Sequence, residues 1–197
     1  MLYRKAKELS ACLFGFPYQA PTDVPQSVQQ DKPLMDIISA TYKTTINAEG
    51  GTQQTTIDPA ERIRLQAEFK TRIYTLLEEC LTKEPEHGPA LLLYSIVADY
   101  NTRAKDRQAL LEVKKLLLPR VDAIRKGSRA YKLIAVEIDG MGGNCFNKVE
   151  RHLADFHYDL AKLYMATSQP DLAKAEYSKA NKLCSKIYGR GPGKIKL

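Results

Sequence analysis

The sequence predicts an all-α protein, and two kinds of observation carry that prediction. Apolar residues recur at intervals of three and four through residues 58–189, which is the spacing of a buried helix face. Proline and glycine interrupt this pattern at positions such as Pro85, Gly88 and Pro170, where helices typically end or begin. We therefore expect one helical domain over residues 58–189.

Three further segments flank this domain. Residues 1–14 have the apolar spacing of an amphipathic helix, and residues 15–57 form an irregular arm rich in Pro, Thr and Gln. Within the arm we expect a short helix at 33–43 and then a polar loop. Residues 190–197 form a basic tail. The basic N-terminus also resembles a mitochondrial presequence in part, although an uncleaved helix is the preferred interpretation.

The boundaries of each helix follow from local signals. Asp58 and Pro59 suit the first positions of a helix, and Gly189 suits the last. Residues 128–138 allow either a helix or a strand. We expect Ile96, Leu116 and Leu172 to lie on buried faces. The predicted helices cover about 59–83 and about 105–124. A helix between them begins at Gly88–Pro89, the next to last runs to about Thr167, and the last follows the break at Gln169–Pro170 and stops at Gly189.

The positive charge of the chain is concentrated in one region. The chain has 30 basic and 23 acidic residues, a net charge of +7. Residues 103–132 hold ten basic and three acidic side chains, so this segment alone accounts for the excess. A surface of this sign attracts nucleic acid, anionic headgroups or an acidic protein face. A solvated helix face is the alternative interpretation.

Cysteine usage and hydropathy limit the class of protein. The four cysteines are far apart and mostly fall on apolar helix faces, so we expect reduced core residues rather than disulfides or metal ligands. No apolar run approaches the roughly 20 residues that a membrane-spanning helix needs. These features predict an intracellular protein without a membrane span, either mitochondrial or cytoplasmic.

Six residues near the C-terminus have the spacing of a tightly packed helical hairpin. Three small residues would let two helices approach closely, and three larger ones would fill the space beside them. These residues are Leu160, Ala161, Tyr164, Ala173, Tyr177 and Ala180.

The stretch from His157 to Gly189 resembles a tetratricopeptide (TPR) repeat through these six positions. It is similar to the extended repeats of kinesin light chains and of the C-terminal region of SET/MYND-type lysine methyltransferases. His157 stands where that family usually has an aromatic residue. The resemblance implies a degenerate superhelix of helical hairpins that holds another polypeptide. The catalytic and zinc-binding segments of the methyltransferases have no counterpart, and an unrelated hairpin is the alternative.

No motif points to catalysis, a cofactor or a metal. His152, Asp155, His157 and Asp159 invite a metal interpretation, but we expect a solvated polar face, since His157 points away from the others. The turn that begins at Asp139 is glycine-rich and resembles a metal-binding turn of PP2C-type phosphatases, although the other ligands of that family are missing. We therefore expect no enzyme activity, no cofactor and no metal site.

The sequence leads to two hypotheses for function. The first is a non-catalytic scaffold subunit or assembly factor that binds a protein partner in a larger complex. The second is an RNA-associated protein, of the peripheral (mito)ribosomal type, that contacts the phosphate backbone through residues 103–132. The predicted contact residues are Arg107, Lys114, Lys115, Arg125, Lys126 and Arg129.

Overall fold

The computed structural model confirms the all-α fold. It describes residues 1–14, 29–30, 32, 35, 44–46, 52–54, 59–100, 102, 106–140 and 148–188. The predicted helix at 33–43, most of the arm at 15–57 and the basic tail at 190–197 therefore lie largely or wholly outside the described residues.

Helices account for most of the described chain, and their bounds lie close to the predicted ones. They are α1 (Leu2–Phe14), α2 (Pro59–Lys83), α3 (Gly88–Asp99), α4 (Arg107–Asp122), α5 (Arg129–Asp139), α6 (Val149–Ala166) and α7 (Pro170–Tyr188).

The chain divides into two compact units, residues 1–82 and 83–197. In the first unit α1 buries Ala6, Leu9 and Leu13 completely, which are three of the apolar positions that predicted an amphipathic helix. Helix α2 likewise has one fully buried face, because its apolar residues recur every three or four positions. That face comprises Leu65, Phe69, Ile73 and Leu77.

A short β-hairpin corrects the prediction of a loop after the Pro-rich stretch. Strands β1 (Thr44–Ile46) and β2 (Thr52–Gln54) pair antiparallel, with Thr45 opposite Gln53. Threonine favours extended backbone, so a polar composition alone does not exclude strands. The hairpin is the one strand pair within the described residues and does not change the fold class.

Five helices build the second unit. Helix α6 packs against α7 along its length, and α4 and α5 each pack against both α3 and α6. Helix α6 therefore contacts each of the other four described helices of this unit.

Ser128 explains why residues 128–138 form a helix rather than a strand. Its backbone is extended, and its hydroxyl oxygen accepts a hydrogen bond from the amide of Tyr131 at 3.2 Å, which is the geometry of an N-cap. Its own amide donates to the carbonyl of Arg125 at 2.8 Å. The same residue thus closes the turn after α4 with its amide and starts α5 with its hydroxyl.

Three residues expected on buried faces are exposed instead. Leu116 on α4 is 77% exposed, and Ile96 on α3 and Leu172 on α7 are about half exposed. Helix α3 is buried on most sides, so its periodicity does not single out one face. On α4 the inward positions are Leu111, Leu117 and Val121, one residue out of phase with Leu116.

The contact between α3 and α5 requires glycine at position 88. A Cβ atom on Gly88 would lie 2.5 Å from the carbonyl oxygen of Ala130 and 2.8 Å from Ile134 Cδ1. Backbone atoms of α5 cannot yield locally as a flexible side chain can. We therefore expect Gly88→Ala to destabilise the protein by about 1–3 kcal/mol through overpacking, measured by urea unfolding.

Gly140 supplies the matched control. A Cβ atom there would meet only atoms at 3.6 Å, which is ordinary van der Waals contact. Gly140→Ala should therefore change the free energy of unfolding by less than about 0.5 kcal/mol. Equal stability of the two variants would contradict the close approach of α3 and α5.

Candidate functional site

The α6–α7 hairpin places the six predicted packing residues mostly out of solvent. Ala161, Ala173 and Ala180 are buried, as are Leu160 and Tyr164, whereas Tyr177 is only half-buried. The position that α7 buries in its place is Glu176. The sequence therefore predicts Tyr177 as the buried residue of this turn of α7, whereas the structure buries the residue before it.

The connection between α6 and α7 is a tight helix-ending turn. The amide of Gln169 donates to the carbonyl of Tyr164 at 2.8 Å, and that of Ser168 donates to the carbonyl of Met165 at 3.2 Å. Ser168 has φ of 60°, in the left-handed region. This pair of bonds ends a helix and reverses the chain, usually with glycine at the left-handed position. The two helices are therefore brought together over only a few residues.

Four charged or titratable side chains form a closed network between α4, α6 and α7. His157 Nδ1 lies 2.6 Å from Glu176 Oε2, and His157 Nε2 lies 3.6 Å from Asp122 Oδ1. Lys179 Nζ joins the same two carboxylates, at 2.8 Å from Asp122 and 3.0 Å from Glu176. The expectation that His157 belongs to a solvated polar face is wrong, since it is only 4% exposed.

This network stabilises the ionised form of Glu176. Burial by itself would raise the pKa of Glu176, but the hydrogen bonds from His157 and Lys179 outweigh it, so the pKa lies below its ordinary value. The network contains no hydroxyl or thiol nucleophile. Its chemistry is that of a charged link between helices, which holds the end of α4 against the hairpin.

Lys114, one of the predicted contact residues, is not on the surface. Its side chain has no exposed area, and its Nζ donates to Ser95 Oγ at 2.8 Å and to Asp99 Oδ2 at 2.7 Å. The same amine lies 5.1 Å from the centroid of the Phe156 ring, within range of a cation–π interaction. Lys114 therefore links α4 to α3 and α6, and its prediction as a contact residue is wrong.

The other predicted contact residues fall in separate places. Arg125, Lys126 and Arg129 are exposed around the turn between α4 and α5, where Arg129 pairs with Glu84 at 2.8 Å and Arg125 donates to the carbonyl of Asp122. Lys115 pairs with the neighbouring Glu112 at 3.0 Å. Arg107 is exposed at the start of α4. Within the described part of this segment, residues 106–132, the basic side chains thus do not form one continuous surface.

A cavity of about 360 Å³ lies between the end of α3, the start of α4 and the C-terminal half of α6. Acidic, basic and aliphatic side chains line it together. We call it the Arg107 cavity, and its lining residues are Asp99, Arg107, Leu110, Asp159, Lys162, Leu163 and Ala166.

Ion pairs hold both carboxylates of the Arg107 cavity. Asp99 pairs with Lys114 behind it, and Asp159 Oδ1 lies 2.5 Å from Lys162 Nζ. Burial raises the pKa of Asp99 more than the nearby Lys114 lowers it. For Lys162, burial lowers the pKa, but the hydrogen bond to Asp159 and its charge outweigh this and raise it. The walls of the cavity are therefore fixed by internal pairs.

The metal interpretation gains no support from the described residues. They contain no group of three or more His, Cys, Asp or Glu side chains arranged to hold a metal ion. His152 is half-buried, and its Nε2 atom makes no hydrogen bond; burial lowers its pKa. Cys80 and Cys184 are buried. Among the described helices, none is both long and apolar enough to cross a membrane.

Sequence reasoning missed the buried polar residues, although a signal for them was present. Lys114 lies three residues after Leu111 and three before Leu117, and therefore on the inner face of α4. Ser95 and Asp99 are four residues apart on α3, the spacing that presents two side chains to one partner. The same inward register applies to His157 and Glu176.

Comparison with known proteins adds no relative. No protein-family model, no curated protein and no solved structure matches the chain. The fold defines the class, an all-α protein, and the tetratricopeptide resemblance stays a prediction.

The buried ion pair of Lys114 should contribute strongly to the free energy of unfolding. Lys114→Met keeps an unbranched side chain, one atom shorter, but leaves Asp99, which is only 33% exposed, without its partner. We expect a loss of about 3 kcal/mol in the free energy of unfolding, since removing one member of a buried pair leaves the other charge uncompensated. Urea unfolding at neutral pH measures it.

Lys115→Met is the matched control for this substitution. Lys115 is the adjacent residue, and its pair with Glu112 is exposed to solvent. Such pairs contribute about 0–1 kcal/mol, so the control should remain close to wild type. A Lys114 variant as stable as the Lys115 variant would show that the amine is not buried in a pair.

The lowered pKa of Glu176 generates a prediction about pH. A carboxylate whose folded pKa is depressed contributes stability that is present above its unfolded pKa and lost as pH falls through the folded pKa. Between neutral pH and about pH 3, wild-type stability should therefore fall more steeply than that of Glu176→Gln. The free energy of unfolding by urea at several pH values gives both slopes.

Glu86→Gln makes the same charge change at an exposed position and serves as the control. Its slope between neutral and acidic pH should follow that of wild type. If Glu176→Gln also follows wild type, the carboxylate is not stabilised by His157 and Lys179 in the folded state.

Proposed function

We propose that the chain is a non-catalytic helical scaffold, a subunit or assembly factor that binds another polypeptide within a larger complex. The observation that carries the proposal is the contrast between two groups of polar side chains. Those that are buried, such as Lys114 and His157, are used to link helices. Others, such as Arg107 and Lys162, line the open Arg107 cavity between helices.

The packing of the hairpin supports a binding role. Ala161, Ala173 and Ala180 are buried on α6 and α7, two helices that pack against each other, and Lys179 on α7 pairs with Asp122 at the end of α4. A surface built on such linked helices is preorganised, so less conformational entropy is lost when a partner binds. A groove between rigid helices is a common place for a peptide or helix to dock.

An RNA-associated role is the second candidate, and the turn between α4 and α5 favours it. Arg125, Lys126, Arg129 and Lys132 are exposed within eight residues, and Ser128 fixes the backbone between them. Lysine and arginine at such a density attract phosphate groups. Because Lys114 is buried, any such contact would rest on this turn rather than on the whole of residues 103–132.

Purification of the native assembly tests the proposal. The chain, tagged and expressed at its endogenous level, should sediment well above its own mass of 22.2 kDa in lysates of mitochondrial or cytosolic fractions. We expect one set of proteins to copurify in constant proportion, as identified by mass spectrometry, and to persist after ribonuclease treatment. A scaffold held by many side-chain contacts should keep its partners at moderate salt.

The same experiment separates the two candidates. Loss of the assembly on ribonuclease treatment, together with a steep dependence on salt, would favour the RNA-associated role. Sedimentation as a free monomer at endogenous concentration would contradict both.

A further inference from the structure

We propose that the Arg107 cavity binds a carboxylate group carried beside an aliphatic side chain on a partner polypeptide, with Arg107 as the anchor. This inference rests on the proposed scaffold function and names the chemistry of the segment that the scaffold holds. The charge, lining and size of the cavity all point to such a ligand.

The charges of the side chains at the Arg107 cavity indicate the sign of its ligand. Lys114 neutralises Asp99, and Lys162 neutralises Asp159. Arg107 makes no hydrogen bond or ion pair with any residue in the part of the chain that the structure describes. Among the described residues, the cations of Arg107, Lys162 and Lys114, the last of which lies behind the cavity wall, therefore exceed the two carboxylates by one charge. The uncompensated group is a guanidinium, which can donate two parallel hydrogen bonds to a carboxylate.

The second step concerns the kind of anion. A phosphate monoester, such as a phosphorylated side chain, carries close to two negative charges at neutral pH. That is one charge more than the guanidinium of Arg107 offsets. A carboxylate, with a single charge, matches this cation. Charge complementarity therefore favours a carboxylate over a phosphate monoester.

The third step concerns the rest of the lining. Leu110, Leu163 and Ala166 supply the apolar part of the wall, and no described lining residue is aromatic. Aliphatic walls suit an aliphatic side chain, whereas a nucleobase would need an aromatic ring for stacking. The volume of 360 Å³ is near the lower end of the usual range for binding sites, about 300–1,000 Å³. It fits a short segment of chain rather than a whole helix.

The location of Arg107 makes it available for binding. It is the first residue of α4, and the preceding Asp106 makes no side-chain capping hydrogen bond. Leu110 follows one turn later on the same face. The anchor and an aliphatic wall residue thus project from one rigid helix, which fixes the distance between the bound carboxylate and the neighbouring side chain.

A carboxylate can come from a chain terminus or from a Glu or Asp side chain, and three probe peptides distinguish these sources. The first ends in leucine with a free α-carboxylate, the second is amidated and carries an internal Leu-Glu pair, and the third is amidated with Leu-Gln instead. Full-length protein is titrated with each peptide, followed by amide chemical shifts and calorimetry. We expect one carboxylate peptide to bind at least about tenfold more tightly than the neutral peptide.

Variants assign the binding to the cavity. Arg107→Glu should lower the affinity for the carboxylate peptide at least about tenfold, because a negative side chain replaces the positive one and repels the carboxylate. Lys132→Glu makes the same charge change at an exposed position outside the cavity lining, and its affinity should remain within about twofold of wild type at physiological salt.

A second pair of variants adds a carboxylate. Ala166→Glu places it at the cavity, where it would compete with the peptide, and Ala175→Glu places it on an exposed face of α7. We expect weaker binding only for the former.

Three results would overturn the inference. The first is that no carboxylate peptide binds more tightly than the neutral peptide at millimolar concentration. The others are that Arg107→Glu and Lys132→Glu lose the same affinity for the peptide, or that Ala166→Glu binds it as tightly as wild type. All four substituted residues are exposed or lack a described partner, and thermal unfolding checks that each variant folds. If the native assembly forms and Arg107→Glu leaves it intact, only this inference fails. If wild-type protein forms no assembly, the scaffold proposal fails whatever the peptides do.

Discussion

A charged amine with no exposed surface holds three helices of the second unit in place. Lys114 reaches from α4 to Ser95 and Asp99 on α3 and lies over the ring of Phe156 on α6. Removing an ammonium group from water is costly, and only good geometry with satisfied hydrogen bonds offsets that cost. The three helices therefore have little freedom to shift relative to one another. Asp99 is consequently fixed at the edge of the Arg107 cavity.

A second charged link acts at the other end of α4. The carboxylates of Asp122 and Glu176 share Lys179, and His157 lies between them. Together with Lys114, this link fixes α4 near its middle and its C-terminal end. The start of the helix, where Arg107 lies, carries neither link. The two charged links thus hold the helices together, whereas the exposed guanidinium of Arg107 takes part in neither link.

Much of the helical fold could be predicted from the sequence, because helix ends have local causes. Pro59 starts α2, the Gln169–Pro170 pair separates α6 from α7, and Ser128 caps α5. The buried faces were predicted less well. Periodicity assigns apolar residues to the core and charged residues to solvent, so Lys114 was placed on the surface and Leu116 inside, the reverse of what the structure shows. Pairing across helices decides such positions, and it involves residues distant in the sequence.

The candidate site was predictable in part only. The excess of positive charge in residues 103–132 is real, but the fold distributes it among a buried pair, an exposed turn and a cavity. Arg107 was selected for its charge alone. Its neighbours Asp159 and Lys162 come from α6, more than 50 positions later in the sequence. No local pattern could bring them together, since their meeting depends on how α4 packs on α6.

The burial of Lys114 also makes it a natural reporter of local opening. Amine-reactive reagents reach exposed lysines such as Lys126 directly, but they reach Lys114 only when α3 and α4 separate. The rate at which this amine becomes labelled therefore measures how often the two helices part in the folded protein. A single acetylation there would disfavour reclosing, because the neutral amide cannot pair with Asp99.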